Sequence, residues 1–205
     1  MSTFIVLLVV YGVVAGGDSL VSFYVYEVPY EVQGDSHWCG PASLVMVLGY
    51  WDAVLLQEDV ASIVYDSSRR LTNVSVMAAY PRNYGFNSSV LNGSIGCLKE
   101  WILRGCPVIV LQKYSLVNAY GHYRVVVGYD DEKEVFMTFD PFVGPNYNIS
   151  YADFVLLWRP GETFQTTNWT LIVTPEDTSR VEEATAHQRL LNNDTTSTNQ
   201  NSPKP

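Results

Sequence analysis

The chain has 205 residues, of which 47% are apolar, with 14 tyrosines, 8 phenylalanines and 5 tryptophans. This length and composition fit one domain with appendages and provide ample material for a packed core. The formal net charge is −9 and the sequence contains no basic run. Binding to a nucleic-acid backbone requires clustered lysines and arginines, so we expect no nucleic-acid partner.

The first residues form an apolar stretch that is typical of an export signal. Residues 4–15 are an almost unbroken run of about twelve apolar residues, too short to span a bilayer but suited to a signal-peptide core. Small residues follow, so residues 1–17 are predicted to be a cleaved signal peptide. The usual basic residues are missing, and an uncleaved membrane anchor reaching toward Tyr24 is the alternative. We therefore expect a secreted or extracellular protein, either free or attached to a membrane by its N-terminus.

Acceptor motifs for N-linked glycosylation are more frequent than chance predicts. Six Asn-X-Ser/Thr motifs occur, and they begin at Asn73, Asn87, Asn92, Asn148, Asn168 and Asn193. The motif is a weak acceptor signal by itself, and the same residue types also concentrate in turns. The excess favours an exported glycoprotein from a cell that glycosylates asparagine.

The first half of the predicted domain is mainly helical. An alternating segment at residues 21–28 predicts a strand. Residues 41–50 predict a helix that is apolar on nearly all sides and therefore central and buried, with Pro41 in the first turn, where its missing N–H costs nothing. Three shorter helices are predicted at residues 57–64, 74–84 and 94–104, the second of them ended early or kinked by Pro81. The remainder of residues 67–93 is predicted to be loop.

The pattern changes to strands after Pro107. Runs of β-branched and aromatic residues bounded by turn residues predict strands at 108–112, 123–129, 135–139 and 169–173. Residues 150–153 resemble a capping box and open a helix that continues to Trp158. The polar stretch 176–205 is predicted to be disordered. Helices followed by an antiparallel sheet predict an α+β domain over residues 18–175.

The cysteine count is odd, which leaves at least one free thiol in an exported protein. Cys97 and Cys106 belong to the predicted helix 94–104 and its end. Nine residues at ~1.5 Å each would separate them by about 13 Å, beyond the reach of a disulfide unless that helix starts late or ends early. We therefore expect three free thiols, with Cys39 as the free one if the other two pair.

Cys39 lies at the predicted start of the central helix. Backbone N–H groups and the helix dipole favour negative charge there, which stabilises the nucleophilic thiolate. Gly40 permits another backbone or a substrate carbonyl to approach closely. The alternative is an inert cysteine, because unpaired cysteine is among the most buried residue types.

A predicted hairpin brings a histidine and a carboxylate together, and the pair could act with Cys39. The second and third predicted strands flank a polar turn, and centring the hairpin on residues 131–132 places His122 opposite Pro141 and next to Asp140, within a residue or two. Asp140 could then orient the His122 ring and stabilise its cation. Each residue alone is better explained structurally, as a strand-end histidine and a strand-closing carboxylate, but the pairing favours catalysis.

Gln33 and His37 are further polar residues close to Cys39. Acyl transfer through a thiolate requires hydrogen-bond donors for the developing oxyanion, and the Gln33 amide could fold back beside the Cys39 N–H. The alternative is a surface glutamine. His37 and Cys39 could begin a metal site, but no second pair of ligands follows at suitable spacing. We therefore expect no metal or organic cofactor.

Four motifs share their order with a known family. They are Gln33 followed by Cys39-Gly40-Pro41-Ala42-Ser43-Leu44, Gly105-Cys106-Pro107-Val108-Ile109-Val110, Gly121-His122-Tyr123 with residues 125–130, and Asp140-Pro141. Over about residues 28–175 the chain thereby resembles the bacteriocin-processing cysteine peptidases, and more closely their stand-alone, exported relatives in the papain-like superfamily. The resemblance implies a papain-like fold, with the cysteine helix packed against an antiparallel sheet. It also implies Cys39 as nucleophile, His122 as general base and acid, Asp140 as orienting residue and Gln33 as oxyanion donor.

The sequence also departs from the transporter-coupled members of that family. It contains no ATP-binding cassette or transmembrane bundle, so the trimming of double-glycine leader peptides is not implied. We expect a monomeric cysteine peptidase that cleaves peptide or amide bonds of a peptide or protein substrate through a thioester. The alternatives are a catalytically inactive binding domain with the same fold, and an amidase or transpeptidase that uses the same triad.

Overall fold

The computed structural model describes residues 21–159 and 167–200, with side chains to residue 194. The predicted signal peptide, residues 1–17, lies outside these ranges. The helices are α1 (Cys39–Tyr50), α2 (Gln57–Val64), α3 (Val74–Ala79), α4 (Ile95–Leu103), α5 (Tyr151–Leu157) and α6 (Thr178–Gln200). The strands are β1 (Ser22–Tyr24), β2 (Tyr65–Asp66), β3 (Leu71–Thr72), β4 (Phe86–Asn92), β5 (Val108–Lys113), β6 (Gly121–Asp130), β7 (Val135–Asp140), β8 (Gly144–Ser150) and β9 (Trp169–Pro175).

One antiparallel sheet dominates the described residues. Its strands follow the order β4-β9-β5-β6-β7-β8, and β1 pairs with the far end of β6. β2 and β3 form a separate two-stranded ribbon. Residues 122–129 of β6 are buried, as expected for a strand at the centre of a covered sheet. The predicted α+β class with an antiparallel sheet is confirmed.

Helix α1 is the central buried helix that the sequence predicted. Its interior residues are excluded from solvent on several faces, namely Leu44, Met46, Val47 and Leu48, and it packs against β6. The helix begins two residues earlier than predicted, so that Cys39 is its first residue and Pro41 lies in its first turn. The strand therefore supports the helix start that carries the cysteine.

The predicted capping residues lie at the ends of α4 and α5, where the sequence indicates. Ser94 Oγ accepts a hydrogen bond from Cys97 N at 3.1 Å and opens α4, and Gly105, with φ +70°, follows its end. Ser150 Oγ accepts from Asp153 N at 3.1 Å and opens α5. The predicted helix at residues 74–84 is split into α3 and a 3₁₀ turn that contains Pro81.

All three cysteines are free, as the sequence predicted.

Two strands at the edges of the sheet were not predicted. β4 falls within the predicted loop of residues 67–93, and β8 lies between the predicted strand 135–139 and the predicted helix opened by residues 150–153. Of the seven residues of β8, only Ile149 is buried, and β4 buries only Phe86 and Ser88. An edge strand with one face in water needs few apolar residues, so its sequence carries a weak pattern.

Helix α6 corrects the prediction of a disordered tail, which is wrong for Thr178–Gln200. Gln188 is 1% exposed; its Oε1 accepts from Tyr26 N at 2.8 Å and its Nε2 donates to Tyr26 O at 3.0 Å. Asn192 forms the same pair of bonds with the backbone of Tyr24, at 2.9 and 2.8 Å. These two amides lie one helical turn apart. Each bonds to the N–H and the C=O of one residue in or just after β1, as a neighbouring strand would. The sequence did not indicate this helix because polar side chains carry much of its attachment, alongside two partly buried apolar residues that pack against the core.

The helices of residues 21–159 and 167–200 include none that combines the length and apolar character required to cross a bilayer.

Candidate active site

The loop that precedes α1 is held in place by a buried glutamine of α2. Gln57 Oε1 accepts from Gly34 N at 2.7 Å, and its Nε2 donates to Val32 O at 3.0 Å and to Glu31 Oε1 at 2.9 Å. On the other side, Gln33 N donates to Pro141 O at 2.9 Å. The segment that leads into Cys39 is therefore fixed both to α2 and to the end of β7.

Cys39 contacts His122 where α1 meets β6. Cys39 is 7% exposed, and the His122 ring lies close enough to act on the pKa of its thiol. The backbone N–H groups of Tyr123 and Gly40 also favour the thiolate. The helix start, two backbone donors and an imidazole thus converge on one sulfur atom.

Gly40 is required for packing at this helix start. A Cβ atom built on Gly40 would lie 2.5 Å from Oγ1 and 2.6 Å from Cγ2 of Thr72 in β3, closer than real Cβ contacts. A side chain of the small ribbon therefore approaches Gly40, where the sequence led us to expect another backbone or a substrate carbonyl.

The hairpin of β6 and β7 brings His122 to Asp140, but in a different register from the predicted one. Val125 faces Phe139 and Val126 faces Thr138, and a bulge follows before Gly128. Continued toward the open end of the hairpin, this register places Asp140 opposite Arg124. His122 lies two residues before Arg124, on the same face of β6. His122 Nε2 lies 2.8 Å from Asp140 Oδ1, so the two side chains meet diagonally across the strands.

The Asp140 carboxylate is fully buried and accepts four hydrogen bonds. Oδ1 accepts from His122 Nε2 at 2.8 Å and from the backbone N–H groups of Phe142 and Val143 at 2.9 and 3.0 Å. Oδ2 accepts from Arg124 Nε at 2.8 Å. Burial acts to raise the pKa of Asp140, but its hydrogen bond to His122 and the charges of His122 and Arg124 hold that pKa well below its ordinary value.

The same contacts shift Cys39 and His122 toward their charged forms. Burial acts to raise the pKa of the Cys39 thiol, but the hydrogen bond and charge of His122 lower it overall. Burial acts to lower the pKa of His122, but its hydrogen bonds to Asp140 and Cys39 raise it. An ionised Asp140 only accepts, so Nε2 carries the proton of that bond and Nδ1 is left for the thiol. The arrangement favours a thiolate–imidazolium pair.

Gln33 lies beside this group through its backbone, while its side-chain donor is used elsewhere. Its Nε2 donates to Asp35 O at 2.8 Å, within the loop before α1. Its Oε1 is buried and has no hydrogen-bond partner among the residues that the structure describes. The structure brings Cys39, His122 and Asp140 together and places Gln33 next to them with its amide turned toward its own loop.

Two residues beside the triad were not predicted, Arg124 against Asp140 and Tyr114 against His122. Arg124 could have been found, because it follows His122 by two residues, on the same face of the strand, and is a charge inside an apolar run. Tyr114 packs edge-on against His122, with ring centroids 5.3 Å apart, and also contacts Phe142. It lies after β5, and nothing in its sequence context indicated this contact.

The described residues offer no group of side chains suited to a metal ion. Across residues 21–159 and 167–194, no three histidine, cysteine, aspartate or glutamate side chains form a group that could hold a metal ion. His37 instead lies 2.7 Å from Ser36 Oγ through its Nδ1.

Comparison with known proteins identifies the family. The sequence pattern of the "Peptidase_C39 like family" matches residues 25–169, more than half of the chain. The chain belongs to this family. It is therefore a cysteine peptidase by family, and the predicted resemblance to the bacteriocin-processing peptidases is confirmed. Helix α6 lies beyond the matched residues.

Solved structures of peptidase domains share the fold. One is a double-glycine-motif protease from an AMS/PCAT transporter in complex with the leader peptide, with a TM-score of 0.56 and 22% identity over 75% of this chain and 94% of that one. Another is the peptidase domain of Streptococcus ComA, a bi-functional ABC transporter involved in a quorum-sensing pathway, with a TM-score of 0.53 and 17% identity over 72% of this chain and 100% of that one. Comparison with curated proteins gave no match.

The contacts of Cys39 predict that its thiol is reactive below the ordinary thiol pKa. We expect iodoacetamide to alkylate Cys39 with a pH midpoint below 9.0, while Cys106, whose pKa burial raises to about 12, stays unreactive there. Replacing Asp140 by Asn removes a contact that raises the pKa of His122, so the imidazolium is lost at lower pH and the Cys39 midpoint rises. Peptide mapping by mass spectrometry after timed labelling measures both midpoints.

The matched control for that experiment is Asp153→Asn, which removes an exposed carboxylate of α5. It should leave the Cys39 midpoint unchanged. A Cys39 midpoint at or above 9.0 in the native protein, or one that Asp140→Asn does not move, would contradict the assigned contacts.

Proposed function

We propose that this protein hydrolyses peptide or amide bonds with Cys39 as nucleophile, His122 as general base and acid, and Asp140 as the residue that orients the ring. The observation that carries this proposal is the continuous contact from Cys39 through His122 to the buried Asp140 carboxylate, at the N-terminus of α1. Nucleophile, base and orienting group in hydrogen-bonding sequence are the features that activate a thiol for acyl transfer.

The reaction follows from the proton positions. The Cys39 thiolate attacks the carbonyl carbon, and the carbonyl oxygen becomes an oxyanion. His122 then gives its proton to the leaving nitrogen as the C–N bond breaks, which leaves a thioester on Cys39 and a neutral imidazole. The imidazole removes a proton from water, whose oxygen attacks the thioester; the acid product leaves and the thiolate–imidazolium pair is restored.

Gln33 is proposed to complete the oxyanion site together with the N–H of Cys39. As the first residue of α1, Cys39 has an N–H without an intrahelical acceptor. Rotating the Gln33 carboxamide exchanges its buried, unpartnered Oε1 for the NH₂ group and releases the Asp35 carbonyl. The bond from Gln33 N to Pro141 O would keep the backbone fixed during this rotation.

A peptide or protein is the proposed substrate, acted on by a monomer. The structurally similar double-glycine-motif protease is in complex with a leader peptide, which supports a peptide as the substrate. An inactive binding domain has no need of a buried carboxylate that holds a histidine against a thiol. We therefore favour catalysis over binding alone.

Removing the nucleophile tests the proposal. Cys39→Ala should lower kcat/KM on a cleaved peptide by about 10³-fold or more, because the thioester can no longer form. Gln33→Ala should lower kcat by about 10²-fold with a smaller effect on KM, because it removes a donor that acts in the transition state. A peptide library digested by the mature protein and read by mass spectrometry supplies the substrate for these measurements.

Cys97→Ala is the control, because Cys97 is a half-buried thiol of α4 outside the site. It should retain native activity. Full activity in Cys39→Ala would refute the assignment, and a native protein that binds peptides but cleaves none would support the binding domain. Ligation of added amines in place of hydrolysis would support a transpeptidase.

We further propose that the protein is exported and glycosylated, either secreted or held at a membrane by residues 1–17. The asparagines of five sequons are exposed, namely Asn73, Asn87, Asn92, Asn148 and Asn193. Asn168 differs: its φ is +52°, its Nδ2 donates to Gly93 O at 3.0 Å and its Oδ1 is buried. An acceptor amide must be free to react, so Asn168 is not a suitable acceptor in the folded protein.

Expression of the full chain in a host with N-glycosylation tests this second proposal. We expect secreted or surface-bound protein with glycans on exposed sequons and an unmodified Asn168, as mapped by mass spectrometry of deglycosylated peptides. Retention inside the cell without glycans would contradict the export proposal. Modification of Asn168 in folded protein would contradict the structural argument at that sequon.

A further inference from the structure

We propose that Arg124 is a positioning residue of the active site, which keeps the Asp140 carboxylate ionised and directed at His122 while the charge of the ring changes during the reaction. The inference rests on the proposed function, since it assigns Arg124 a role in the same triad. The residue lies in the middle of β6 and is 1% exposed.

Four hydrogen bonds fix the Arg124 guanidinium in one position. Nε donates to Asp140 Oδ2 at 2.8 Å, and Nη1 donates to Gln112 Oε1 and Lys113 O, both at 3.1 Å. Nη2 donates to Tyr114 O at 2.8 Å. All three guanidinium nitrogens are used, and the planar group cannot turn without breaking several bonds at once.

A second buried side chain supports the guanidinium from β5. Gln112 is fully buried, and while its Oε1 accepts from Arg124, its Nε2 donates to Phe154 O at 3.3 Å. The amide is thus oriented by α5 so that its oxygen faces the arginine. The position of Arg124 is set by two strands and a helix.

The charge of Arg124 matters because the charge of His122 is not constant. In the proposed reaction the His122 ring alternates between imidazolium and neutral imidazole. If the ring were the only cation beside Asp140, the buried carboxylate would lose its counter-charge in each cycle, which is costly away from water. Arginine remains protonated throughout, so Asp140 keeps one fixed cation and does not take the proton from the ring.

The same contacts hold the His122 ring from two sides. Arg124 occupies Oδ2 of Asp140, which leaves Oδ1 for His122 and for the N–H groups of Phe142 and Val143. Arg124 also binds the carbonyl of Tyr114, whose ring packs against His122. A lysine could supply the charge but not this fork of directed donors.

Replacing Arg124 by Met and by Lys separates the charge from the directed donors. In Arg124→Met we expect kcat to fall about 10-fold to 100-fold with a smaller change in KM, because misplacing a reacting group can cost about 10²-fold in rate. Without its fixed cation, the Asp140 carboxylate takes up a proton at higher pH and then no longer favours the imidazolium. The acid limb of the kcat profile and the alkylation midpoint of Cys39 should therefore both move to higher pH. Arg124→Lys should keep the native pH dependence but not the native kcat.

Controls distinguish a positioning role from a merely structural one. Arg180→Met, which removes a half-buried arginine of α6 that is paired with Asp52, should leave kcat and both pH profiles unchanged. Activity is divided by the folded fraction from near-UV circular dichroism. Native pH profiles in Arg124→Met, with kcat reduced only in proportion to folded protein, would overturn the proposal. If Arg124→Met does not fold, native kcat in Arg124→Lys would overturn it.

Failure of the proposed function would look different. In that case Cys39→Ala would retain activity or the native protein would cleave nothing. The alkylation midpoint of Cys39 requires no substrate, so the shift in Arg124→Met still decides the role of Arg124.

Discussion

A buried carboxylate with two cationic partners is the interaction on which the site depends. Asp140 is shielded from water yet ionised, because His122, Arg124 and two backbone N–H groups together satisfy its oxygens. Its own backbone carbonyl accepts from Tyr30 Oη at 3.0 Å, so the loop before α1 is tied to the same residue. Loss of this charge would release the ring, and with it the thiolate at the helix start.

The fold supplies rigid elements for each part of this arrangement. The central strands β5 and β6 carry Gln112, His122 and Arg124 in a buried, register-fixed ladder. Helix α1 brings Cys39 against that ladder from one side, and Gln57 of α2 fixes the loop before it. Groups on strands and helices keep their geometry better than groups on loops, which suits a reaction that depends on aligned proton transfer. Helix α6, which lies outside the family match, stabilises β1 and the residues that follow it rather than the active site.

Strong patterns in the sequence predicted much of the structure, and weak ones explain what was missed. An apolar helix predicted α1, capping residues predicted α4 and α5, and β-branched runs predicted the central strands. The predicted hairpin brought His122 to Asp140 although the observed register differs from the predicted one, because long side chains reach diagonal neighbours. The edge strands and α6 were missed because hydrogen bonds hold them with little apolar burial, and an amide such as Gln188, which bonds to the backbone of Tyr26, looks like any other polar residue in the sequence.

The charge of the His122 ring is the most direct test of the account. Nuclear magnetic resonance of ¹⁵N-labelled histidine reports the protonation of each ring nitrogen as pH is varied. The account predicts that the pKa of His122 in the native protein lies above its ordinary 6.5, with Nε2 protonated on both sides of the transition, and that it falls in Cys39→Ala and in Asp140→Asn. A His122 ring that titrates at or below 6.5 and ignores both substitutions would contradict the thiolate–imidazolium pair.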